Sequence, residues 1–153
     1  MTRFTASNSS AATLKSSRKE VWSALTDPEL LPKLTPYLHR IDVDGDRWTW
    51  NVARVPVLGK SIGTTFTEVM DFEEPTRIHY THDDSRTDEN SAVEGEYRLE
   101  EAGSGCRVSI DISVTVDMPF PRATRRAVEV AMAAVMAAMG RRFAHNLLRH
   151  RGE

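Results

Sequence analysis

The stretch AVEVAMAAVMAAMGRRF, residues 127–143, is built from alanine and methionine where a helix that only fills a core normally carries Leu, Ile and Phe. Val128, Met132, Val135, Met136, Met139, Phe143 and, beyond the stretch, Leu147 recur every three to four residues and share one helical face. Small side chains leave space, and the unbranched methionine thioether adapts to whatever fills it. Pro121 suits a helix start, and the pattern runs to about His150. A helix of about 28 residues spans roughly 40 Å. Ala and Met are also strong helix formers, so plain core packing is the competing reading of the same stripe.

Upstream of this helix the period changes from helical to alternating. Cys106, Val108, Ile110, Ile112, Val114 and Val116 alternate with Arg107, Ser109, Asp111, Ser113, Thr115 and Asp117, so one face is covered and the other wet. Similar patterns predict strands over 4–15, 38–43, 46–54, 62–72, 76–82, 92–101 and 105–117. The turns DGD (44–46) and GSG (103–105) join neighbouring strands as hairpins. Between the first two strands, SSRKEVWSALTDPELLPKL (16–34) predicts two short helices. Ser16 or Ser17 caps the first, with Glu20 close behind. Val21, Trp22 and Leu25 form its apolar face, and Asp27-Pro28 breaks it. Trp22 reads as an anchor of that helix on the sheet.

The order is strand, two short helices, six strands, long helix, in one domain spanning 1–153. An antiparallel sheet of seven strands needs one face covered, and the economical arrangement is a curved sheet gripping the long helix. On this order, and on EVWSALTDPELLPKLTPYL (20–38), the chain resembles the SRPBCC superfamily, which includes START-like, Bet v 1-like and polyketide cyclase proteins. The resemblance implies an α+β helix-grip fold with a hydrophobic cavity between sheet and C-terminal helix. It implies a lipid or another apolar small molecule as ligand. The superfamily has no shared catalytic motif, so it carries no catalytic residue over.

Strand register assigns the cavity lining. A tight turn at GSG sets Leu99 opposite Val108, Tyr97 opposite Ile110, Gly95 opposite Ile112 and Val93 opposite Val114, all on the covered face. Ile78, Tyr80 and His82 continue that face, as do Phe66, Glu68, Met70 and Phe72. Trp48 and Trp50 share a face of their strand. Met132, Val135, Met136, Met139 and Phe143 form the opposite wall. Two polar residues, Glu68 and His82, point inward opposite each other and are the candidate acid–base groups. The alternative is a twist or bulge that carries both to solvent at the rim. The Tyr80 and Tyr97 rings read as core, with hydroxyls available to a ligand.

Other signals exclude more than they suggest. The net charge of −2 gives no general pull toward nucleic acid or anionic membrane. The single cysteine, Cys106, permits no intramolecular disulfide and reads as buried filler. The N-terminus lacks a signal-peptide core, and the nearly apolar run 127–139 is interrupted by Glu129 and too short for a bilayer. The expected location is cytoplasmic, without stable membrane insertion. His79 and His82 in HYTH fall on opposite strand faces and cannot share an ion. No phosphate loop, nucleophile elbow or zinc spacing occurs, so neither metal nor cofactor is expected. DDSRTDENS (83–91) reads as a solvated loop and VPVLGKSIG (55–63) as a connection or gate.

Three functions compete. One is binding of a hydrophobic small molecule or lipid. The second is a polyketide aromatase/cyclase-type enzyme using Glu68, His82 and Tyr80. The third is a protein-interaction module. An apolar void of roughly 300–1,000 Å³ favours the first two, and a contiguous exposed apolar patch favours the third.

Overall fold

Thirteen residues of alternating small and apolar side chains, Thr2–Leu14, form β1, which pairs antiparallel with the last strand of the sheet. The computed structural model describes residues 1–153. After β1 come α1 (Arg18–Leu25) and α2 (Leu31–Leu34). The strands β2 (Leu38–Asp44), β3 (Arg47–Val57), β4 (Lys60–Glu73), β5 (Arg77–His82), β6 (Ser91–Ala102) and β7 (Gly105–Met118) follow. A 3₁₀ turn, Arg122–Thr124, leads into α3, Arg125–His150. The seven strands form one curved antiparallel sheet in the order β1-β7-β6-β5-β4-β3-β2, gripping α3.

Local chemistry accounts for the element ends. Ser17 caps α1 through a reciprocal box: Glu20 N–H donates to Ser17 Oγ at 3.2 Å, and Ser17 N–H donates to Glu20 Oε1 at 3.1 Å. The Asp27 carboxylate accepts from Glu29 and Leu30 N–H, which turns the chain into α2. Asn146 of α3 donates to the Leu34 carbonyl at 2.8 Å and ties α2 to the long helix. Trp22 is buried and meets Phe72 edge-on at 6.1 Å, anchoring α1 to β4.

The register follows the alternation. Leu99 faces Val108, Tyr97 faces Ile110, Gly95 faces Ile112 and Val93 faces Val114. Glu68 faces His82 across β4 and β5.

Two segments differ from their sequence reading. VPVLGKSIG is a β-hairpin rather than an irregular loop. Val57 pairs with Lys60 around a two-residue turn in which Leu58 and Gly59 have φ of 46° and 79°, so the β3–β4 hairpin runs through it. A bulge between Val52 and Val55, with Arg54 at φ 59°, bends that arm. The acidic loop is also more than solvated chain. β5 ends at His82 and leaves the first half of β4 without that neighbour. Glu89 fills the gap by accepting from Thr67 N–H at 2.8 Å and Thr67 Oγ1 at 2.6 Å. Asn90 accepts from Thr65 N–H and donates to the Gly63 carbonyl. Side chains thus satisfy backbone groups that a strand would otherwise pair.

The core is divided. One cluster gathers Leu14, Val21, Leu25, Leu31, Ile78 and Leu99 beneath α1 and α2. A smaller one gathers Phe4, Val57, Val116, Met118, Val128 and Met132 around the start of α3. Fully burying such a side chain stabilises the fold by about 1.5–3 kcal/mol.

Candidate ligand cavity

Between the two clusters lies a cavity of about 250 Å³, bounded by the sheet and by the middle of α3, and 24 of its 30 lining residues are hydrophobic. The sheet contributes an aromatic wall of Trp48, Trp50, Phe66, Tyr80 and Tyr97. Trp50 stacks on Phe66 with ring centroids 6.1 Å apart and planes 10° from parallel. Met70, Ile110, Ile112 and Glu68 complete that wall. The opposite wall is Met132, Val135, Met136, Met139 and Phe143. Leu25, Leu31 and Leu38, from the α1–α2 segment and the start of β2, border it as well.

A second chamber of about 280 Å³ adjoins the first, between β1 and the C-terminal half of α3. Asn8, Ser10, Ile110, Gly140 and Phe143 border both chambers. Each chamber alone falls just below the usual range for ligand sites, and the two share these five residues.

Glu68 is the one ionisable acid in the first chamber, and no Lys, Arg or His lines it. Its side chain is only 2% exposed. Burial pushes its carboxyl well above the usual carboxylate range, because an isolated charge loses its hydration there. The Trp50 indole lies on its flank and opposes that shift, yet Trp50 Nε1 falls outside hydrogen-bond geometry and is a buried donor without a partner. The Tyr80 hydroxyl is likewise buried and unpartnered.

Tyr80 and Tyr97 pack with ring centroids 5.5 Å apart. Burial raises both phenols, and Glu68 adds to the effect on each. Tyr97 is half-buried by exposure because part of its surface borders the cavity. Gly95, opposite Tyr80 in register, makes room for this packing: a Cβ there would lie 2.9 Å from the Tyr80 hydroxyl and 2.1 Å from the Asp111 carbonyl oxygen.

A family model described as "Polyketide cyclase / dehydrase and lipid transport" matches residues 1–150. The chain belongs to this family. Solved structures carry the same fold. A START superfamily protein from Mycobacterium smegmatis superposes with a TM-score of 0.70 at 13% identity, over 94% of this chain and 95% of that one. TTHA0849 from Thermus thermophilus gives 0.69 at 16% identity, over 94% and 98%. The di-domain ARO/CYC StfQ from the steffimycin biosynthetic pathway gives 0.64 at 10% identity, over 94% of this chain and 49% of that one. No curated protein matches by sequence. The SRPBCC resemblance carried by residues 20–38 and the strand order therefore holds.

In this member of the family, the candidate ligand-binding residues all line the first chamber except His82. His82 stands opposite Glu68 but is the last residue of β5, where the chain turns away. Its Nδ1 is buried without a partner, and it lines neither chamber. The two candidate acid–base groups do not form a pair. Sequence reading missed the leucines of the α1–α2 segment, the hairpin arm Val55, Val57 and Ile62, and the second chamber. The signal for that chamber was present in ASNSSAA (6–12), a run of small residues facing Ala137, Gly140 and Ala144. No helix is long and apolar enough to cross a membrane.

Proposed function

We propose that this domain binds a hydrophobic small molecule or lipid in the cavity between the sheet and α3. One observation carries the reading: the apolar stripe of α3 is only half-buried through Val135, Met136, Met139 and Phe143, because it faces a void rather than a packed sheet. Closely packed interiors seldom keep such space without use for it. The family description, which names lipid transport, supports the same reading.

Native mass spectrometry of freshly purified protein, followed by solvent extraction, tests it. The wild type is expected to carry or take up an apolar molecule near one to one. Met136→Trp, which fills the void, should abolish uptake while the protein stays folded. Equal uptake by both proteins would sink the assignment.

A second reading, cyclase-type chemistry, draws support from Glu68. A neutral carboxyl in a dry site can donate a proton or hydrogen bond to a ketone oxygen. It needs a base other than His82. Ring closure of a poly-β-ketone thioester, lost in Glu68→Gln with uptake retained, supports this reading. Turnover unaffected by the substitution removes Glu68 from any such role.

A further inference from the structure

Asn8, Ser10, Thr35 and Thr64 add scattered polar groups to the lining of the first chamber, but its one carboxyl and its buried side-chain groups without partners gather at a single place, where each group is a donor or can be one. Trp50 Nε1–H lies beside Glu68 and the Tyr80 hydroxyl beside Tyr97, but neither reaches a partner within hydrogen-bond geometry. The Glu68 carboxyl is 2% exposed, with no cation in the lining to hold it as an anion. An unpaired buried carboxylate is too costly to persist, so the group sits as a carboxylic acid with its own O–H. Tyr97 places a second phenol beside Tyr80. Three adjacent strands converge here: Trp50 on β3, Glu68 on β4 next to it, and Tyr80 on β5. Buried donors without acceptors are rare in native proteins because each costs about 1–3 kcal/mol.

We infer that Trp50, Glu68 and Tyr80 form a recognition site for an uncharged acceptor oxygen, so that the ligand is a planar, neutral molecule bearing a ketone, ester or similar carbonyl rather than a carboxylate or phosphate. This deepens the cavity-binding reading and rests on it. Planarity follows from the walls. Trp48, Trp50, Phe66, Tyr80 and Tyr97 present ring faces and edges around the site, which suit a flat apolar body. Neutrality follows from charge. Arg141 borders only the second chamber, so an anionic head seated beside Glu68 in the first, where no Lys, Arg or His lines the wall, would lose its hydration and gain no counter-charge. The donors, by contrast, are matched by one or two carbonyl lone pairs, and the ligand satisfies groups the protein leaves open.

Calorimetry at pH 7 with three probes of one shape tests this: 2-acetonaphthone (neutral acceptor), naphthalene (no polar group) and 2-naphthoate (anion). The ketone is expected to bind at least about tenfold more tightly than either of the others, the discrimination that about 1.4 kcal/mol supports. Glu68→Leu should erase the preference of ketone over naphthalene while naphthalene still binds, which shows that the cavity persists. Glu68→Gln, whose amide also donates, should keep most of that preference. Tightest binding by naphthoate, or an unchanged ketone-to-naphthalene ratio in Glu68→Leu, overturns the donor-site assignment and leaves the cavity reading intact. If no probe binds the wild type, the cavity reading falls, and the donor-site assignment with it.

Discussion

At the start of α3, Val128 and Met132 are 0% and 5% exposed among Phe4, Ala6, Val116 and Met118. Near its end, Leu147 is 3% exposed in the cluster that holds Leu14 and Leu25. Between them, Val135, Met136, Met139 and Phe143 continue the same stripe but stay half-open. The helix alone does not explain the difference, since its apolar face is continuous. What changes is the strand opposite. The covered face of β1 reads Phe4, Ala6, Asn8, Ser10, Ala12, Leu14, large at both ends and small or polar in the middle. The N-terminal half of α3 is also tied to the β1 backbone. Thr5 N–H donates to Glu129 Oε2 at 2.8 Å, and Arg125 donates to the Arg3 carbonyl at 2.8 Å. Two packed ends hold the helix at a distance that its small middle cannot close. The cavity is therefore built by both walls, and its size is maintained by contacts outside it.

The largest effect should come from the packed end. Leu147→Ala is expected to cost about 3 kcal/mol in urea denaturation, through lost burial and a new void.

Glu68→Gln probes the floor of the open middle. Burial raises the folded-state carboxyl, while the unfolded chain ionises at its ordinary value. The folded form then holds a proton that the unfolded form has lost. Glu68 contributes no penalty below the unfolded pKa, and stability falls as pH rises above it. The titratable groups around Glu68 are Tyr80 on the adjacent β5 and Tyr97 one strand further on β6, with His82 opposite it on β5. Glu68→Gln should therefore be more stable than wild type at pH 7, with the gain shrinking as pH drops through the carboxylate range. Denaturation midpoints at several pH values check this, and a pH-independent difference would show that Glu68 does not titrate between the two states.

Ser17→Ala lies away from both regions. It removes the α1 cap and should cost about 1 kcal/mol without changing ligand uptake, which separates stability from cavity shape.

The smallest effect should be Met139→Ala, below about 1 kcal/mol, because the side chain already borders empty space and its removal only enlarges it. If Met139→Ala and Leu147→Ala cost the same, the distinction between packed ends and open middle fails.

Much of the architecture was legible in the chain itself. Alternation, two-residue turns and helical spacing are local properties. In a sheet with period two, they decide which face each side chain takes. That is why Tyr97 opposite Ile110, Glu68 opposite His82, and the α3 stripe follow from the sequence. The Ser17–Glu20 cap is equally local. Facing inward is not the same as reaching the cavity, and reach depends on where strands stop and how the sheet curves. β5 ends at His82, so that side chain is left outside while Glu68, opposite it, lies within. The same early end obliges Glu89 and Asn90 to pair the β4 backbone, a role invisible in an acidic, turn-rich loop. The leucines of the α1–α2 segment and the unpartnered Trp50 and Tyr80 donors likewise emerge only when distant segments meet. Sequence by itself determined the faces and the order of the elements. Tertiary structure alone decided the volume between them and which polar groups were left without partners, because both depend on distances across the fold rather than along the chain.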